Sequence, residues 1–331
     1  MSRIFIAIPS FQEEDLQNTV DSIFLNASDP NRVIVGICNQ RVVDNEFESF
    51  ECFDDHVRVV NVRSGNPMGL GYAYLSACQL MQDEEYFMRI DAGTRMKPKW
   101  DDMLISLHTK IIDQTNSNKI IISGQCGAFY KTDTELHPDY YSDDRWFFDS
   151  GLWFQDCGNP DNDYWIDGLI RQFAQTVWGM KEKDCISNKD ILQKFIWSEN
   201  DKKNGFKEHY FINGAFSFST SDLIKDCPPD PRVLFWGEEH ILGLRACTRG
   251  YRIFASRDNV LFTLSKEKAY VDNQGNRDWR NFQRFFNPTW AIQILSGEKH
   301  GFYGAPTEQL YREYMARIGL ESKERYIQNG Q

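Results

Sequence analysis

Short apolar runs alternate along the first third of the chain with segments whose apolar residues recur at helical spacing. Residues 4–8 form an apolar run closed by Pro9, the pattern of a buried strand. Residues 13–26 carry Leu16, Val20, Ile23 and Phe24 on one helical face. Runs at 33–38 and 57–62 predict a second and a third strand. A loop with Pro67, Gly69 and Gly71 then opens a helix through Tyr74, Leu75, Cys78 and Leu80. Residues 86–90 predict a fourth strand ended by Asp91-Ala92-Gly93, residues 100–112 a helix, and residues 120–123 a further strand. Strands alternating with helices predict βαβ units, hence an α/β chain with a mostly parallel central sheet flanked by helices. Ligands of such sheets bind at the carboxyl ends of the strands, which places the loops 9–13 and 91–95 at one crevice.

The regularity weakens between 131 and 207, where residues 139–148 are acidic and aromatic without a period; a segment this long suits a lid or binding loop. Residues 211–218 predict a strand with Gly214 inside it. Residues 237–249 predict a helix ended by Gly250 in the C-cap position, 251–255 and 260–264 two more strands, 278–295 an amphipathic helix despite Pro288, and 307–318 a helix opened by a Thr cap. The chain divides on this pattern into a nucleotide-binding half (1–130), an inserted acceptor region (131–210) and a second half of the same domain with C-terminal helices (211–331).

Composition narrows the function. A net charge of −11 argues against broad, non-specific nucleic-acid binding, which needs a basic surface. It leaves room for a local basic groove. The eight Cys form no CxxC pair and read as scattered reduced thiols, and the six His lack metal-ligand spacing. No signal-peptide pattern and no membrane span is visible, so the expectation is a cytoplasmic protein, in the host cytoplasm if viral, with no membrane partner. Aromatic residues at 14% suit stacking on sugars or bases as well as core formation.

Four segments carry candidate chemistry. Asp91, at a strand end and followed by small residues, can hold a divalent cation or a ribose hydroxyl; Asp-x-Gly is equally a common turn. Trp236-Gly237-Glu238-Glu239 puts two carboxylates at a helix start, which the helix dipole alone favours, beside a ring able to stack on a sugar. Gly214, with Ala215, marks either a close ligand approach or a bulge. Arg95, Lys97 and Lys99 suit a diphosphate or a solvated surface. Gly69-Leu70-Gly71 sits in a strand–loop–helix context, but Tyr74 occupies the place of the third glycine of a dinucleotide fingerprint, so NAD binding is not expected.

In sequence order these segments resemble a family. Residues 4–11 with 33–40, the segment 86–96, and residues 228–239 running on to Arg249-Gly250-Tyr251 are similar to the GlcNAc-transferase family that modifies hydroxyproline on a cytosolic protein. Residues 9–13 also resemble the start of the wider GT-A glycosyltransferase group. The resemblance implies a GT-A, Rossmann-like fold, a UDP-sugar donor, a divalent cation (Mn2+ or Mg2+) and retention of anomeric configuration. It implies that Asp91 is the metal-site acid. Pro9, Ser10, Phe11, Glu13 and Gln40 lie near base and ribose, Gly214 and Ala215 face the donor sugar, and Glu238 and Glu239 sit beside the reacting centre. Gly71, Gly93, Arg95 and Trp236 complete the donor-binding set. The chain departs from that family where it counts: Gly93 and Thr263 stand where the family carries histidines, and Tyr74 where it tends to carry Arg. Without those imidazoles, Arg95, Lys97, Lys266 or Lys268 could stabilise the leaving diphosphate instead.

The functional expectation is therefore transfer of a sugar from a nucleotide-sugar donor to an acceptor hydroxyl on a hydroxylated protein, a glycan or a hydroxymethylated pyrimidine in DNA. The alternative is a GT-A protein that binds sugar or nucleotide without transfer.

Overall fold

The computed structural model describes residues 2–41, 54–63, 68–131, 152–155, 164–185, 189–264 and 288–329. Residues 139–148, Lys266, Lys268, and residues 278–287 of the expected long amphipathic helix lie outside them.

An eight-stranded sheet forms the centre. Its strands are β1 (Ile4–Phe11), β2 (Val33–Arg41), β3 (Val57–Arg63), β4 (Tyr86–Ile90), β6 (Ile120–Ile122), β9 (Phe206–His209), β10 (Phe216–Thr220) and β11 (Arg252–Ser256). They lie in the order β3-β2-β1-β4-β10-β6-β11-β9. The first four are mutually parallel, as the βαβ reading expected. β10 enters antiparallel to both β4 and β6, and β9 antiparallel to β11, so the second half of the sheet is mixed. β1 runs past Pro9, beyond the expected end. β4 pairs only with Ile4–Ala7, so Pro9 lies where β1 has β2 as its only paired neighbour and a missing N–H is tolerated.

The apolar runs are continuous because both faces of the sheet are covered. Ile4, Ile6 and Ile8 pack with Leu16 and Val20 of α1 (Leu16–Leu25) and with Leu104 and Ile111 of α3 (Trp100–Thr115). The alternate residues Phe5 and Ala7 pack on the opposite face with Ala73 and Ala77 of α2 (Leu70–Cys78) and with Leu242 and Ala246 of α8 (Glu238–Thr248).

A second, four-stranded sheet, β5-β12-β7-β8, uses β5 (Thr94–Met96), β7 (Gly127–Lys131), β8 (Leu152–Gln155) and β12 (Leu261–Leu264). A third cluster joins Ile166, Ile170 and Phe173 of α4 (Tyr164–Val177) to Ile241 and Leu244 of α8, to α9 (Thr289–Leu295) and to α10 (Glu308–Ile318). Part of the expected acceptor insertion thus shares its core with the C-terminal helices. The Thr307 cap is present, its hydroxyl accepting from the Leu310 N–H at 3.3 Å. The expected strand at 211–218 starts only at Phe216. Asn213 forms a turn instead, its amide oxygen accepting from Ala215 N–H at 2.9 Å and its amide nitrogen donating to Gly124 O at 2.8 Å, so Gly214 sits before the strand. Among the described residues no helix is long and apolar enough to cross a membrane.

Candidate functional site

The site forms where β4 ends beside the turn that precedes β10. The register pairs Ile90 with Phe216, which sets Asp91 next to the Asn213–Ala215 turn. Beneath it lies Arg89, a charge placed mid-strand in an apolar run. Arg89 is buried and forms a 2.6 Å ion pair with the buried Glu238 at the start of α8. It also donates to the Gly214 carbonyl at 3.0 Å and lies 4.1 Å over the Tyr74 ring. The guanidinium is thus a bracket joining β4, α2, the 213–215 turn and α8. Sequence reading passed over Arg89; the signal available was the isolated charge inside Tyr86-Phe87-Met88-Arg89-Ile90. Tyr74 supplies the face on which this cation rests.

The two glutamates divide their roles. Glu238, expected to share the catalysis, is occupied by Arg89, so as placed it locks the helix to the sheet and is not poised as a base. Glu239 is half-buried and faces the turn, with a Cβ built on Gly214 lying 3.8 Å from its Oε2. Burial pushes its carboxyl up to about 7; its own backbone N–H and Arg89 hold it down, while the Glu238 and Asp91 charges push it further up. Asp91 and Gly93 are half-buried at the opening. His240 is buried and pushed down to about 4 by that burial, so it is neutral at physiological pH. Its ring sits 6.0 Å from the half-buried Trp236, as centroids.

Other candidates fall elsewhere. Arg95 is buried against Asp15, with Nη1 2.7 Å from the carboxylate, and its guanidinium lies 4.7 Å over Phe129. Its charge is neutralised inside the protein, so it does not present a free cation to a diphosphate. Lys97 stands 5.7 Å over the Phe262 ring, and Lys99 is exposed at the start of α3 with φ 64°. Gly71 is a tight packing position: its N–H donates to Val233 O at 2.9 Å, and a Cβ there would collide with the Asp230 and Val233 carbonyls. The loop it abuts leads directly into Trp236-Gly237-Glu238-Glu239.

At the ends of β1 and β2, Pro9 and Ser10 are buried, Phe11 and Glu13 half-buried, and Gln40 accepts from the Met68 N–H at 2.8 Å. The register aligns Ser10 with Asn39 and Asn39 with Asn61, a polar row across three strand ends. Asn39 is fully buried and neither of its amide atoms has a hydrogen-bond partner among the described residues. It was missed because the apolar run before it looked complete at Cys38.

A metal held by three protein side chains does not fit these residues. Thr263 on β12 lies opposite Thr94 of β5, and Leu264 N–H donates to Gly93 O at 2.9 Å. Beside Asp91, positions 263 and 93 thus offer a hydroxyl and a residue with no side chain. Among the described residues no group of three or more His, Cys, Asp or Glu is arranged to hold an ion.

A large mixed sheet flanked by helices is the architecture of the GT-A glycosyltransferases. The fold is similar to that of GalNAc-T7, solved with UDP, GalNAc and Mn2+, with a TM-score of 0.51 at 11% identity over 99% of this chain and 57% of that one. S. aureus TarS gives a TM-score of 0.47 at 11% identity over 97% of this chain and 43% of TarS. Its 1–349 fragment with UDP-GlcNAc gives 0.45 at 13% identity, over 98% and 74% of the two chains. The chain spans just over half of GalNAc-T7 and less than half of TarS. No curated protein matches it. The model of the family described as Glycosyltransferase (GlcNAc) matches residues 3–49 and 42–287, and the chain belongs to that family.

Proposed function

We propose that this chain transfers a sugar, with UDP-GlcNAc as the first donor to test, to an acceptor hydroxyl with retention of anomeric configuration. The observation that carries the proposal is that the Asp91 end of β4, the Gly214 turn and Glu239 lie together, in a member of a GlcNAc-transferase family. The UDP in the GalNAc-T7 structure supports the choice of nucleotide. The nucleoside lies over the polar ends of β1 and β2. Asp91 and the open backbone at Gly93 receive the ribose and diphosphate, and the Gly214 turn receives the sugar. Glu239, held near neutrality, orients a sugar or acceptor hydroxyl by hydrogen bonding in either protonation state. The leaving diphosphate is stabilised by backbone N–H groups and lysines rather than by a three-ligand metal. A hydroxylated protein, hydroxyproline first, is the acceptor the sequence resemblance favours; the net charge of −11 counts against duplex DNA.

The test is release of UDP and transfer of labelled sugar by the purified chain, with and without EDTA, onto a hydroxyproline peptide, a glycan and hydroxymethylated DNA. Activity that persists in EDTA is the expected result, and complete loss would sink the cation-free reading. Glu239→Ala, which removes both hydrogen-bonding oxygens, is expected to lower kcat by about 100-fold, and Glu239→Gln by less. Tight binding of UDP-sugars with no turnover of any of them would replace this proposal with the binding-protein alternative.

A further inference from the structure

A groove of about 390 Å3 lies away from the crevice just described, between α3, the end of α6 (Glu199–Asn204) and the link from β11 to β12. It is on the other side of the central sheet. Leu104 and Ile111 of α3 pack on one face, whereas Leu242 and Ala246 of the glutamate-bearing helix α8 pack on the opposite one. Met103, Leu107 and Val260 contribute apolar lining, while Lys110, Lys202, Lys203 and Arg257 supply four cations against the single carboxylate of Asp258.

Three of these cations have local work. Lys110 donates to Asn204 O at 2.7 Å and Arg257 to Lys202 O at 3.1 Å, so both meet the negative end of α6. Lys202 lies 3.3 Å from Glu199, a carboxylate that is almost wholly in solvent. Capping α6 does not account for Lys203, which is exposed and has no ion-pair partner among the described residues. Nor does it use all the donors of the exposed Arg257 guanidinium. In a chain of net charge −11, four cations lining one concavity form a local positive well. The volume is that of a small-molecule site, and an apolar surface with converging charged groups is the usual make-up of one.

We propose that this groove is a second binding site, for a small phosphate-bearing molecule. Its phosphate sits among Lys203, Arg257 and Lys110, its apolar or ring portion rests on Met103, Leu107 and Val260, and Asp258 accepts from a hydroxyl. The proposal does not depend on the glycosyltransferase reading, because no residue is shared with that crevice.

The probe is inorganic pyrophosphate, titrated calorimetrically at constant ionic strength into the full chain and into Lys203→Glu, Lys203→Gln and Glu239→Gln. Saturable binding is expected in the unmutated chain and in Glu239→Gln. It should weaken on the order of tenfold in Lys203→Glu and less in Lys203→Gln, since charge reversal replaces attraction by repulsion at contact distance. Lys203 is exposed, so thermal unfolding of both variants should match that of the parent and exclude misfolding. Absence of saturable binding in the parent chain overturns the proposal. So does binding that Lys203→Glu leaves unchanged, which would put the anion elsewhere on the chain, the crevice across the sheet included.

Discussion

Removing one partner of the Arg89–Glu238 pair tests the bracket on which the crevice is built. Both side chains are at most 5% exposed and lie 2.6 Å apart. Arg89→Met strands a carboxylate that keeps only the favourable start of α8, worth about 0.5 kcal/mol, and it removes the side-chain donor to the Gly214 carbonyl. Glu238→Leu strands a cation that keeps Gly214 O, the Tyr74 ring and the more distant Glu239 charge. Losing one member of a buried pair typically costs 3–5 kcal/mol, so about 4 kcal/mol is expected from each single substitution. That is a large fraction of the roughly 5–15 kcal/mol that holds a folded domain. The double variant Arg89→Met/Glu238→Leu replaces the pair by apolar groups and is expected to lie within about 1–2 kcal/mol of the parent. The assay is urea unfolding at pH 7.5, comparing midpoints at constant slope. Single variants that each lose less than about 1 kcal/mol, or a double variant that loses the sum of the two, would refute the bracket.

Two further predictions follow from the same geometry. Glu239 has its folded pKa raised to about 7, above an ordinary glutamate near 4.5, so the native state binds the extra proton between those values. Its contribution is intact below pH 4.5 and is lost as pH rises through 7. Half-burial discounts the loss to roughly 2 kcal/mol, and Glu239→Gln should flatten the measured stability–pH profile in that window. Gly71→Ala should destabilise by about 2–3 kcal/mol, because the colliding atoms are backbone carbonyls of Asp230 and Val233 that can yield only by moving the loop. Since that loop leads into Glu238 and Glu239, UDP-sugar turnover should fall with stability. A Gly71→Ala variant as stable and active as the parent would show that the loop gives way freely.

Much of the scaffold was legible before any coordinates. The runs at 4–8, 33–38 and 86–90 are strands because apolar residues in short runs have no other way to bury both faces at once, the run at 57–62 is the half-buried edge strand beside them, and the spacing of Leu16, Val20, Ile23 and Phe24 admits only a helix. Thr307 was legible as a cap because capping is chemistry within one turn. The entry of β10 against β4 was not legible, since strand direction is decided by partners more than a hundred residues away. The apolar residues around Gly214 mimicked a strand for the same reason; only the contacts of Asn213 with Gly124 and Ala215 make it a turn.

The sequence by itself determined the class of chain, the parallel strands of its first half and the Gly and Thr at positions 93 and 263, because these depend on residue type and short-range pattern. Tertiary structure alone decided what each charged residue does. Arg95 looked available and is neutralised by Asp15, Glu238 and Glu239 looked equivalent and are separated by Arg89, and Gly71 looked like a ligand contact and is the seat of a loop. The physical reason is common to all three: the role of a charge or a glycine is set by what stands within a few ångströms of it, and those neighbours come from distant parts of the chain.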